Sequence, residues 1–139
     1  MRHRVKKIKF KQGKDANKML MRKLLFNFMM KGKITTTIKK VKLLRSDVDR
    51  LVEKAKVENE ANKNRLLKML GADTLLQKVF KDVGIPLKDK KSGYTRIIKL
   101  GRRESDGSEK ARLEWVYPIV MEAVRPKIEE KKPTVKIAK

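Results

Sequence analysis

Between Met19 and Met29 apolar residues return at near-helical intervals: Met19, Leu20, Leu24, Phe28 and Met29 share a side, while Lys18, Arg22 and Lys23 fall largely elsewhere. That spacing predicts a helix from Asp15, a fitting N-cap, to about Lys31, with Gly32 as its stop. The β-branched run "KITTT" follows as a short strand. Next comes a stronger amphipathic pattern from Thr37 to Lys56, in which Ile38, Val41, Leu44 or Arg45, Val48, Leu51, Val52 and Ala55 form one stripe. Thr36 or Thr37 is positioned to cap it. "NEANKNRLLKMLG" predicts a shorter helix ending at Gly71, and "ADTLLQKVFKDVG" another closing at Gly84 with Leu75, Leu76, Val79, Phe80 and Val83 inward. "IPLKDKKSG" predicts a loop.

The period then changes from helical to alternating. "YTRIIKLGRR" and "KARLEWV" predict two strands of a hairpin joined through the Asp-Gly turn of "ESDGSE". In the second strand Ala111, Leu113 and Trp115 oppose Arg112, Glu114 and Val116, whereas in the first Ile97 and Ile98 leave the inward face undecided. After Tyr117, Pro118, Pro126 and Pro133 interrupt any long element, although "PIVMEAVR" has room for one short helical turn. The organisation expected is therefore a basic arm over residues 1–14, one domain over 15–117, and a charged, mobile C-terminal extension over 118–139. No repeat at a fixed period is visible.

Charge changes this picture from a plain helical domain to a polyanion binder. The 139 residues hold 39 Lys and Arg against 16 Asp and Glu, a net of +23. Sixteen of those cations precede Ser46 against a single acid, Asp15, so about two thirds of the excess lies in the first third. From Asp47 to Asp82 the balance is eight cations to seven acids, an ordinary solvated region. Uncompensated charge on this scale opposes compaction and is most simply relieved by a polyanionic partner. With 40% hydrophobic residues the chain is nonetheless too apolar for a disordered basic tail.

Several classes drop out. There is no Cys, hence no disulfide framework or thiolate metal site, and the longest apolar run, "LLFNFMM", is too short to span a bilayer. The only histidine, His3, lies in the basic start, so neither a nucleophile–base pair nor a metal cluster can be assembled around it. Asp47 and Asp49 read as solubilising charge among lysines, and no phosphate-cradling glycine motif occurs. No enzyme, cofactor or metal is expected. An organelle address is disfavoured because the first Ser is Ser46.

Two stretches remain as candidate chemistry. "RHRVKKIKFK" alternates basic and apolar residues, so a strand would align Lys7, Lys9 and Lys11, while a disordered arm would order along phosphates. "KDKKSGYTRIIKLGRR" offers Tyr94 as a stacking ring and Arg96 as a forked phosphate donor, flanked by Lys90, Lys91, Arg102 and Arg103. Two other readings use less of the chain. One is a general DNA-binding architectural protein, on charge alone; the other is a membrane-surface helix over Met19–Met30.

Taken together, "MRHR", "ITTTIKKVKLLR", "GYTRIIKLGRR" and "ARLEWV" resemble the bacterial large-subunit ribosomal protein family numbered seventeen, in order and spacing from Met1 to about Val116. The chain departs from the family's usual pattern at "ANKMLM", where a His-Arg pair is customary, and in the turn "RRESDGSEK". The resemblance implies an α+β fold of two layers, with about four helices on a small sheet made from the short strand and the hairpin. It also implies a structural constituent of the large ribosomal subunit, binding large-subunit ribosomal RNA near the polypeptide exit tunnel beside neighbouring ribosomal proteins. A cytoplasmic ribosome is expected rather than an organellar one, given the "MRHR" start. The RNA-contacting set expected is Arg2, His3, Arg4, Lys6, Lys7, Lys9 and Lys11 in the arm, then Lys14, Lys18, Arg22 and Lys39 on the helices. Lys90, Lys91, Tyr94, Thr95, Arg96, Arg102 and Arg103 complete it around the hairpin.

Overall fold

Lys14–Lys31 forms α1, which Gly32 ends in the left-handed conformation (φ 69°) with its N–H bonded to the Phe28 carbonyl. The computed structural model describes residues 13–71, 73–117 and 119; the arm residues 1–12 and nearly all of the extension 118–139 lie outside them. The N-cap of α1 is Gly13 rather than Asp15, which sits in the first turn, where its carboxylate meets the positive end of the helix. The buried face is Leu25, Phe28 and Met29, with Met21, Leu24 and Met30 packed beside it. Met19 is 48% exposed, because the stripe runs 21, 25, 28, 29 and leaves position 19 off to one side.

Lys33–Thr37 is β1 and leads directly into α2, Ile38–Ala55. Thr37 is the N-cap of α2 in extended conformation, but its side chain accepts no capping hydrogen bond. Val41, Leu44, Val48, Leu51, Val52 and Ala55 are all buried, and Leu44 rather than Arg45 completes the stripe. α3, Glu60–Leu70, is capped by Asn59, whose side chain accepts from the Asn62 N–H at 2.7 Å, and ends at Gly71 with φ 76°.

The fourth helical stretch is irregular. A 3₁₀ turn over Asp73–Leu75 passes into one α-turn, Leu76–Lys78 (α4), and then a π-turn, Val79–Gly84. Its inward set includes Leu75, Val79, Phe80 and Val83, as the spacing predicts, while Leu76 is half-buried. The helical stretch closes at Gly84, as the spacing predicts, though not through a left-handed glycine. Gly84 instead lies so close to α2 that an added Cβ would stand 2.2 Å from the Ala55 carbonyl oxygen. The glycine permits a backbone approach that any side chain would block.

β2 (Thr95–Arg102) and β3 (Glu109–Trp115) form the predicted antiparallel hairpin, turned through Asp106 and Gly107. β1 pairs antiparallel with the other edge of β3, giving the order β1-β3-β2. Ile34 and Ile97 both pair with Leu113, and Thr95 pairs with Trp115, so these side chains share the face turned to the helices. Ile97, not Ile98, is therefore the inward residue of β2. A bulge between Lys99 and Gly101 inserts Leu100 into β2. Trp115 meets Phe28 with ring centroids 4.9 Å apart, joining the sheet to α1. The result is the two-layer α+β arrangement, helices on one face of a small antiparallel sheet.

Gly84→Ala is expected to destabilise the domain by about 2–3 kcal/mol, since α2 and the π-turn must separate to admit the methyl group. Urea unfolding of the two proteins measures this. A loss below about 0.5 kcal/mol would show that the contact yields without cost.

Candidate nucleic-acid interface

The alternation of β3 that buries Ala111, Leu113 and Trp115 turns Lys110, Arg112 and Glu114 to the opposite face of the sheet. Pairing across the strands builds that face in rungs. Lys33, Glu114 and Arg96 share one, Thr35, Arg112 and Ile98 the next, and Thr37, Lys110 and Gly101 the third. Arg96 donates from both Nε and Nη2 to Glu114 Oε1, at 2.6 Å each. Lys33, Lys110 and Arg112 make no ion pair among the described residues. These three were missing from the expected contact set, though the polar half of the β3 alternation already separates Lys110, Arg112 and Glu114 from the core residues.

The structure disperses the expected contact residues over several surfaces. Arg2, His3, Arg4, Lys6, Lys7, Lys9 and Lys11 lie outside the described residues. Lys14 and Lys18 are exposed on the first turns of α1, and Lys39 on the first turn of α2. Arg22 has a structural partner: its Nη2 donates to the Lys68 carbonyl at 2.9 Å, satisfying an oxygen in the last turn of α3. Arg102 is exposed where β2 ends, and Arg103 pairs with Asp106 at 3.4 Å across the turn. Asp106 also accepts from the Ser108 hydroxyl at 2.8 Å and the Ser108 N–H at 3.2 Å, and these bonds hold its carboxyl below the usual carboxylate range. Asp47 and Asp49 face different hollows, the first between α1 and α3 and the second beside Tyr94, so they form no carboxylate pair.

Tyr94 and Thr95 require correction. Tyr94 is 2% exposed and Thr95 3%, so neither the ring nor the hydroxyl is offered to a base. Tyr94 is instead the centre of a hydrogen-bonded node that ties the basic loop to α2. Its hydroxyl donates to Glu53 Oε1 and lies 3.0 Å from the carbonyl oxygens of Lys90 and Lys91. Lys56 Nζ donates to the Tyr94 oxygen at 2.6 Å, to Glu53 Oε1 at 2.8 Å and to the Lys90 carbonyl at 2.6 Å. Burial pushes the Tyr94 phenol up, and the Glu53 carboxylate adds to this, so the hydroxyl keeps its proton. Burial pulls the Lys56 ammonium down, but its bonds to Glu53 and Tyr94 outweigh that and leave it raised. The bonds from Lys56 and then from Tyr94 hold Glu53 below the ordinary carboxylate range. With this node closed, Lys90 and Lys91 are presented on the surface, and Lys90 Nζ sits 5.1 Å from the Tyr117 ring centre.

Comparison with known proteins gives a consistent result. The family profile described as Ribosomal protein L17 matches residues 20–116. A protein of a Sulfurihydrogenibium species named Large ribosomal subunit protein bL17 is 38% identical over 120 residues, covering 85% of this chain and 99% of that protein. The protein of the same name from Persephonella marina is 40% identical over 118 residues, covering 84% of this chain and 95% of its own length. That of Dictyoglomus thermophilum is 34% identical over 116 residues, covering 84% of this chain and all of the relative.

Tyr94→Phe is expected to cost about 1–2 kcal/mol of stability and to speed amide exchange over the 88–93 loop, because Glu53 and Lys56 lose their shared partner. The pH dependence follows from Glu53. Its folded pKa is lowered, so its contribution is complete above the unfolded value and is lost as pH falls through the folded one. Glu53→Gln should therefore flatten the acid limb of a stability–pH curve and leave the slope near neutrality unchanged. An unaltered acid limb in thermal melts would exclude this role for the carboxylate.

Proposed function

Because the chain belongs to the ribosomal protein L17 family, whose members are non-catalytic structural proteins of the ribosome, we propose that it is a constituent of the large ribosomal subunit. In this reading it binds large-subunit ribosomal RNA through the basic arm of residues 1–14 and through the hairpin, near the polypeptide exit tunnel and beside neighbouring ribosomal proteins, in the cytoplasm. The observation that carries the reading beyond the family is the distribution of charge. Sixteen cations against one acid precede Ser46, and the fold supplies too few carboxylates to neutralise them.

Phosphate neutralisation accounts for affinity and its salt dependence in this reading. Shape and tertiary RNA structure account for specificity more than base edges do, since the ring once expected to stack is buried. In the hairpin, Arg96, Arg102 and Arg103 are exposed and remain candidates for phosphate contact. A membrane-surface role for α1 is disfavoured by the burial of Leu25, Phe28 and Met29, and no helix among the described residues is long and apolar enough to cross a membrane.

Tagged protein in cell lysate is expected to sediment with the large subunit and to remain there at high monovalent salt. Recovery only at the top of the gradient would overturn the proposal. Replacing Arg2, Arg4, Lys6 and Lys7 together with Ala should reduce incorporation several-fold in competition with the natural protein, while the thermal midpoint of the isolated domain stays the same. Equal incorporation would remove the arm from the binding surface. Comparable affinity for duplex DNA and ribosomal RNA at moderate salt would favour a general architectural DNA binder instead.

A further inference from the structure

One face of the three-stranded sheet is covered by helices, and the other carries four cations, of which Lys33, Lys110 and Arg112 have no ion-pair partner among the described residues. Lys33, Arg96, Arg112 and Lys110 project from it, and Glu114 is the single acid in its rungs, held by Arg96. Lys33 and Arg96 stand two strands apart, about 10 Å, and Arg112 and Lys110 continue along β3 at steps of about 7 Å. The cations are thus fixed to a rigid ladder rather than to mobile loops. Cations also abound on α1 and the first half of α2, so the sheet face is set apart by the fixed spacing of its charges rather than by their sign.

The chemistry of this face selects the kind of polyanion. Among the described residues no aromatic side chain stands in its rungs: Phe28, Phe80, Tyr94 and Trp115 are buried, Phe26 and Tyr117 pack against the core, and the remaining outward positions are Thr35, Thr37, Ile98 and Gly101. A sheet that binds unstacked single strands needs rings on which bases lie. A sheet of ammonium, guanidinium and hydroxyl groups suits phosphate and ribose oxygens, which a folded, double-helical RNA presents along its backbone.

We propose that the face of the sheet turned away from the helices, through Lys33, Lys110 and Arg112 with Arg96 at its edge, docks on the sugar–phosphate backbone of double-helical ribosomal RNA without reading its bases. The inference rests on the RNA-binding reading above and adds to it a surface and a class of RNA structure. Arg96 is oriented for this contact by Glu114, which fixes the guanidinium from one side and leaves its other edge free.

The test compares natural protein with Lys33→Gln/Arg112→Gln on a transcript of large-subunit ribosomal RNA, titrated over a range of monovalent salt. The double variant is expected to bind more weakly and to lower the slope of log affinity against log salt by about two, one for each phosphate contact removed. The same loss should appear on plain RNA duplexes of unrelated sequence. An unchanged slope and affinity, or a loss confined to an unstructured single strand such as poly(U), would overturn the inference while leaving the ribosomal reading in place. Failure of the natural protein to prefer ribosomal RNA would instead overturn that reading, and the inference with it. A measurement on unsubstituted protein guards against misfolding of the variant. Acylation of Lys33 and Lys110 should be suppressed in the RNA complex while that of Lys68 and Lys81, on the helical side, continues at its free rate. Equal acylation of Lys33 and Lys110 with and without RNA would also overturn the proposal.

Discussion

Burial of the apolar stripe of α2 is the constraint on which the rest of the structure depends. Val41, Leu44, Val48, Leu51, Val52 and Ala55 are each at most 3% exposed. One helix thus serves both the sheet and the helices α1 and α3 with the π-turn. In a chain that is 40% charged there is little apolar surface to distribute, and each fully buried large aliphatic side chain contributes about 1.5–3 kcal/mol. Concentrating those residues around one helix yields a single core, and the close passage of Gly84 over Ala55 is the geometric condition for closing it.

Six of the chain's sixteen acids take part in internal pairs among the described residues. Glu53 joins Lys56 and Tyr94, Glu114 orients Arg96, Asp106 shapes the hairpin turn, Glu58 and Glu60 meet Lys63, and Asp47 lies 3.6 Å from Arg50. Most of these pairs are exposed and contribute little to stability. Their larger effect is positional, since they hold strands, a turn and a loop that carry unpaired cations. The fold therefore stays strongly positive where it meets solvent, and the family's ribosomal setting supplies the matching phosphate.

The helices and the hairpin were legible because their signals are local. α1, α2 and α3 follow the 3.6-residue spacing of their apolar residues, α1 and α3 stop at glycines, and β3 follows strict alternation. The local reading falls short where a long-range contact decides. Gly84 does close the last helical stretch, yet the reason for a glycine there is that its missing side chain accommodates a neighbour 29 positions earlier in the chain. Tyr94 stands between basic residues and suggested a stacking ring, yet it closes onto Glu53 and Lys56 of a helix far upstream. Arg22 reads locally as one more surface cation, and only the fold shows its bond to the Lys68 carbonyl at the end of α3.

By itself the sequence determined the family, the helical and alternating periods, the positive field and the division of β3 into an inward and an outward half. Each of these depends on residue type and on neighbours within a few positions. Only the tertiary structure decided which of the cations share a surface. Lys33 comes beside Glu114 and Arg96 because β1 pairs with the far edge of the hairpin across some eighty residues. Strand pairing at that separation is set by burial of the opposite face against α2, and no local pattern in the chain records it.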